Sequence, residues 1–175
     1  MVNRTIIICL AVVLLTVVCF PVHAHSAAEM GVPADQYDKG IPVYWPYHAL
    51  FMSTGFILLL SGFVVMRFHK TPHWFKSHMI LQSAGGVLAI AGLVTSITMV
   101  TISGAPHLRY THDLFGMVTI LLIVSTLLIG YAMNMTSRVK SEIRTAHRWL
   151  GRTSIVCVAI NIVLGISMMT MVLAQ

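Results

Sequence analysis

The chain has 175 residues, of which 57% are hydrophobic and only 9% charged, and its formal net charge is +6. A water-soluble domain carries roughly a quarter of its residues as charged side chains, so this composition excludes a soluble globular protein. The basic residues sit between apolar runs and form no stripe, which points to membrane topology and away from nucleic acid.

The first segment, MVNRTIIICLAVVLLTVVCFPVHAHS, places Arg4 ahead of an apolar run that stops at Pro21. Val22-His23-Ala24 then supplies small residues at the offsets needed for cleavage after Ala24, so residues 1–24 are expected to be a cleavable signal peptide. Residues 25–45 are polar, too short for a domain, and expected to form an external N-terminal segment. Cys9 and Cys19 would leave with the leader, and the remaining Cys157 lies in an apolar run. No disulfide framework follows from that count, and no Cys-x-x-Cys-His motif is present.

Four uncharged runs come next, at residues 49–66, 79–105, 114–137 and 153–175, each of 18 residues or more. At about 1.5 Å per residue such runs cross a hydrocarbon core of about 30 Å. Lipid offers the backbone no hydrogen-bond partner, so each run is expected to be a helix. Short connections predict an all-α membrane protein, an up-down-up-down four-helix transmembrane bundle over residues 46–175. Pro46 and Pro72 stand where helices should begin, with Thr71 as the expected cap of the second. Ser103-Gly104-Ala105-Pro106 reads as a turn.

The first connection holds Arg67, Lys70 and Lys76, and the third holds Arg138, Lys140, Arg144, Arg148 and Arg152. The second has only Arg109, and the N-terminal segment only Lys39. The positive-inside bias therefore puts the first and third loops in the cytoplasm and the N-terminus outside. The expected location is a multi-pass integral membrane position, in a bacterial inner membrane.

Of nine histidines, His23 belongs to the leader, while His25, His69, His73 and His107 fall in loops or at edges. His48, His78, His112 and His147 differ, because each lies near the start of one predicted helix. Successive helices run in opposite directions, so His48 and His112 share one depth and His78 and His147 another. Steps of three and four residues from each histidine trace one helical face. The faces are His48-Met52-Gly55-Leu59-Gly62, His78-Gln82-Gly85-Ala89-Gly92, His112-Gly116-Thr119-Ile123-Thr126 and His147-Gly151-Ser154-Val158-Asn161. These small or polar stripes should face protein and not lipid.

Ionisable groups held inside a membrane are usually functional. A proton path would more often include Asp or Glu, and no run contains either. Zinc needs four ligands close together, whereas each level offers two histidines. Two histidines facing each other across a bundle suit the axial positions of a haem iron, and neighbouring glycines admit a flat macrocycle. The reading is two b-type haems, His48 with His112 and His78 with His147. Lys76, Arg148 and Arg152 on one side and Arg109 on the other are candidate partners for the propionates, besides their role as membrane anchors.

The stretches YHALFM, SHMILQ, YTHDLFG and HRWLGRTSIVCVAINIVLGI resemble the cytochrome b561 family over roughly residues 44 to 172, in particular the four-helix core of its bacterial and domain-fused members. The resemblance implies two haems b with the same histidine pairing. Ascorbate-dependent members have six helices and an ascorbate-site motif not seen here, so donor and acceptor do not carry over.

Two six-coordinate irons leave no open position for oxygen or substrate, which implies outer-sphere electron transfer between the cytoplasmic and outer faces. In that role the chain would be a transmembrane oxidoreductase whose partners could be quinol, an ascorbate-like reductant or another redox protein. One alternative is a haem-b anchor subunit that exchanges electrons with quinol for a partner enzyme. A haem-free structural or transport bundle is the other.

Overall fold

The computed structural model describes residues 44–68, 72–136 and 140–173. The expected leader at residues 1–24 and most of the segment at 25–45 lie outside the described residues, as do His69 and Thr71. Four helices follow in order: α1 (Trp45–Phe68), α2 (Trp74–Ser103), α3 (Thr111–Met135) and α4 (Ser141–Leu173). All four are long and apolar enough to cross a membrane, and the described residues contain no strand.

The helix ends follow local chemistry. Gly104 closes α2 in the left-handed conformation, with φ 67°, and its N–H donates to Thr101 O at 3.2 Å. That conformation suits glycine, and it produces the turn expected at 103–106. At the start of α3 the carboxylate of Asp113 accepts the Tyr110 N–H at 3.1 Å, the reciprocal half of a capping box.

Two expected boundaries are corrected. α2 starts after His73, which makes no side-chain capping bond, so Pro72 stands outside the helix. α4 starts at Ser141, twelve residues before the uncharged run that announced it. Its first three turns are amphipathic, with Arg144, Arg148 and Arg152 at successive i, i+4 positions opposite Ile143, Ala146 and Leu150. A hydropathy run records only the part of a helix that lies in hydrocarbon, so it misses this interfacial extension.

Most of the packing is within two hairpins, α1 on α2 and α3 on α4, and the hairpins touch each other much less. α1 meets α4 and α2 meets α3 at the edges, which leaves α1 opposite α3 and α2 opposite α4. The first hairpin crosses at glycine, where a Cβ on Gly55 would lie 3.1 Å from Gly85 O. Lipid supplies no hydrophobic drive between helices, so such close backbone contact carries the association. Gln82 Nε2 adds an interhelical hydrogen bond to Leu59 O at 2.8 Å.

The buried positions fall on the expected stripes. They include Gly55, Leu59 and Gly62 on α1, Gly85, Ala89 and Gly92 on α2, Thr119, Ile123 and Thr126 on α3, and Ser154, Val158 and Asn161 on α4. Leu59, Ala89, Ile120, Ile123 and Val158 form the central apolar cluster. Cys157 is a free, half-buried thiol on α4.

Candidate functional site

All four stripe histidines are half-buried, and each directs Nδ1 at a main-chain carbonyl of the helix beside it in its own hairpin. His48 on α1 reaches Gly92 O on α2 at 2.8 Å, and His78 on α2 reaches Gly62 O on α1 at 2.9 Å. In the second hairpin His112 reaches Asn161 O and His147 reaches Thr126 O, both at 3.1 Å. A carbonyl only accepts, so in each case Nδ1 carries the proton and donates. In its neutral form such a ring presents its lone pair at Nε2, the arrangement found where an outer hydrogen-bond acceptor fixes a metal-binding imidazole.

The acceptors have a period. Gly62, Gly92, Thr126 and Asn161 each stand fourteen residues after the histidine of their own helix. Each hairpin is thus internally two-fold, every histidine docking at the level where the partner helix ends its stripe. At about 1.5 Å per residue, fourteen residues separate the two histidine levels by about 21 Å along the bundle.

At one level the rings of His48 and His112 face each other across the bundle, with centroids 6.2 Å apart and planes at 90°. At the other, His78 and His147 line a single cavity of about 850 Å³. Glycines set the rings in place: a Cβ on Gly165 would sit 2.9 Å from His112 Cε1, and one on Gly130 would sit 2.8 Å from His147 Cε1. Among the described residues no group of three or more His, Cys, Asp or Glu side chains is arranged to hold a metal ion.

A family model described as eukaryotic cytochrome b561 matches residues 47–173, which takes in all four helices and all four stripe histidines. The chain belongs to the cytochrome b561 family. It is therefore an integral membrane protein, and membership implies haem b binding and electron transfer across the membrane. A haem-free bundle is at odds with that.

Within the family, a cytochrome b561 and DOMON domain-containing protein of Arabidopsis thaliana is 30% identical over 122 residues. That alignment takes in 63% of this chain but 28% of the plant protein. No solved structure matches the chain significantly.

The basic residues singled out from sequence separate in this cytochrome b561. Arg148 and Arg152 line the cavity that holds His78 and His147, and so does Arg144, which sequence reading had used only for topology. Arg148 Nη2 donates to Thr145 Oγ1 at 3.3 Å, and the Arg152 guanidinium lies 5.1 Å from the centroid of the Trp149 ring. Lys76 is exposed on the first turn of α2 and is not among the cavity's lining residues. Arg109, in the α2–α3 connection, stacks its guanidinium 5.0 Å from the Tyr110 ring centroid. Trp74, Tyr131 and Asn134 also line the cavity and went unnoticed in the sequence, because they lie one turn or more from any histidine stripe. The acceptor role of Gly62, Gly92, Thr126 and Asn161 was missed as well; the fourteen-residue spacing from each histidine is the signal that could have found it.

Proposed function

We propose that this cytochrome b561 holds two haems b and passes electrons singly between the two faces of the membrane. His48 and His112 would hold one haem iron, and His78 and His147 the other. The observation that supports the reading is the common arrangement of the four imidazoles, each with Nδ1–H donating to a carbonyl, so that Nε2 is the ring nitrogen that would meet a metal.

The residues fit the group. Two imidazoles bound on opposite sides of one metal, at roughly 2 Å per bond, have centroids about 6 Å apart, and those of His48 and His112 are 6.2 Å apart. The second pair opens into a cavity of about 850 Å³, within the roughly 300–1,000 Å³ of ordinary small-molecule sites. The weak contact between hairpins supports the same reading, since the flat group would fill that interface.

When bound, each haem supplies an iron that gains or loses one electron. The chain's own part would be to hold each haem between two imidazoles, to keep water out with the central apolar cluster, and to orient each imidazole through its carbonyl. No proton need move at the ligands, since Nδ1–H stays bonded throughout. Arg148 and Arg152, with Arg144, are placed to pair with carboxylates of the group at the His78–His147 level. We assign the same role to Lys76 on that side and to Arg109 at the other. The counts of basic residues support a cytoplasmic position for the His78–His147 level and an outside N-terminus, and we read residues 1–24 as a removed leader from their own pattern.

The test is haem stoichiometry with a reduced-minus-oxidised spectrum of the purified protein. About two haems b per chain, both low-spin and unreactive to carbon monoxide, are expected for closed bis-histidine coordination. One haem per chain, or a species that binds carbon monoxide, would overturn it.

A lipid-soluble donor has one observation in its favour. Val87, Ile90 and Leu128 line the cavity and are also exposed on the outer surface of the bundle, where a membrane would meet them. A quinol could reach the His78–His147 level from the bilayer by that side. Val87→Trp with Leu128→Trp should then slow reduction by quinol several-fold in liposomes and leave reduction by dithionite unchanged. Equal quinol rates in variant and parent would sink the lateral route.

A further inference from the structure

Beside each of the four histidine–carbonyl bonds lies a second contact between the same two helices, and it joins a glycine to a larger side chain. In every case one member is the residue whose carbonyl accepts the bond: Gly92, Gly62, Asn161 or Thr126. The other stands one turn past the histidine on the same face: Met52, Gln82, Gly116 or Gly151.

The two hairpins build this contact with opposite polarity. In α1–α2 the acceptor is the glycine and the bulk follows the histidine. A Cβ on Gly92 would lie 2.6 Å from Met52 Sδ, and one on Gly62 would lie 2.6 Å from Gln82 Nε2. In α3–α4 the glycine follows the histidine and the bulk is on the acceptor. A Cβ on Gly116 would be 3.0 Å from Asn161 Nδ2, and one on Gly151 would be 3.6 Å from Thr126 Cγ2. The larger members are a thioether, two carboxamides and a hydroxyl, so bulk is what they share. Asn161 Oδ1 is buried without a hydrogen-bond partner, so no bond from that atom places its amide.

Where a main-chain carbonyl lies is set by how far its helix slides along the neighbour. A glycine filled by a larger side chain, one turn from the histidine, fixes that slide at the level of the bond. Gln82 is the best anchored of the larger members. Its Nε2 donates to Leu59 O at 2.8 Å, and its Cγ and Cδ both lie 3.2 Å from the Cβ position of Gly62. We propose that Gln82 is a positioning residue of the His78–His147 site, its bulk on Gly62 setting the depth at which Gly62 O meets His78 Nδ1–H. This inference rests on the two-haem reading above and adds to it the side chain that keeps one ligand's hydrogen bond in register.

The test is a cycle in the full chain: Gly62→Ala, Gln82→Ala and the two together, each assayed for haem per chain and titrated potentiometrically. The three nearest neighbours of the new Cβ all belong to Gln82, so Gly62→Ala should push the helices apart there and draw Gly62 O away from His78. Donation by Nδ1–H makes an imidazole more basic, which favours oxidised iron. Weakening it should raise the midpoint of the haem that is missing from His78→Ala, or release that haem. With Gln82→Ala in the chain, Gly62→Ala should change nothing further. With Gln82→Met, which puts at 82 the residue found at 52, the effect of Gly62→Ala should return. Loss of that haem from Gln82→Ala but not from Gln82→Met would likewise support a role for bulk at 82. An unmoved or lowered midpoint in Gly62→Ala would overturn the assignment. So would an effect that persists beside Gln82→Ala or fails to return with Gln82→Met, a shift in the other haem, or loss of haem from both Gln82 variants. Parent protein holding fewer than two haems would instead defeat the two-haem reading, and stoichiometry tells the two failures apart.

Discussion

His112→Ala should bring haem content down to about half of the parent's, and the surviving haem should keep its full b-type spectrum. The reason is that the two levels share no ligand and lie about 21 Å apart along the helices. Removing the imidazole at one level leaves the carbonyls that fix His78 and His147, Gly62 O and Thr126 O, where they were. The sharper form of the test is equivalence. His48→Ala and His112→Ala should give the same residual spectrum and midpoint, and His78→Ala and His147→Ala should give the same other one. Residual spectra that match in the combination His48 with His78, the two histidines of one hairpin, would show the pairing to be wrong. Retention of both haems in any of the four would remove that histidine from the ligand set.

Gly165→Val and Gly130→Val should reproduce those losses without touching a histidine. The Cβ alone would come 2.9 Å from His112 Cε1 in the first and 2.8 Å from His147 Cε1 in the second. Each ring is tied at Nδ1 to a main-chain carbonyl, so it cannot swing clear without breaking that bond. Overpacking a tight contact costs about 1–3 kcal/mol, and here much of it would fall on the imidazole's orientation. Gly165→Val should lose the His48–His112 haem and Gly130→Val the other, read from complementary difference spectra. Thermal unfolding should fall modestly in both. Full haem content in both variants, with unshifted spectra, would mean that the rings do not depend on these glycines for their placing.

Much of the architecture was legible because a bilayer leaves few choices. Runs of 18 or more uncharged residues have to become helices, and short connections have to make them antiparallel. The inward faces were legible for a related reason. Gly55, Gly85, Ala89, Thr119, Ser154 and Val158 stand out as small or polar stripes in a background of Leu, Ile and Val, and those positions are buried. The amphipathic opening of α4 was not legible from hydropathy. Its helix is made where the membrane meets water, and there the apolar face is only one side of the cylinder. The cavity at His78 and His147 was half legible, with the histidines found and the aromatic and amide lining overlooked.

The sequence by itself determined four spanning helices, their alternation and the matched depths of His48 with His112 and of His78 with His147. These depend on residue order and helical period alone. Tertiary structure decided that α1 packs mainly on α2 and α3 on α4, with the hairpins touching each other much less, and which carbonyl each Nδ1–H meets. It also left Asn161 Oδ1 as an orphan. The physical reason is that main-chain carbonyls are alike at every residue. Which one faces a given imidazole is set by how far one helix slides along another, and that slide is fixed by side-chain contacts such as Gly55 against Gly85.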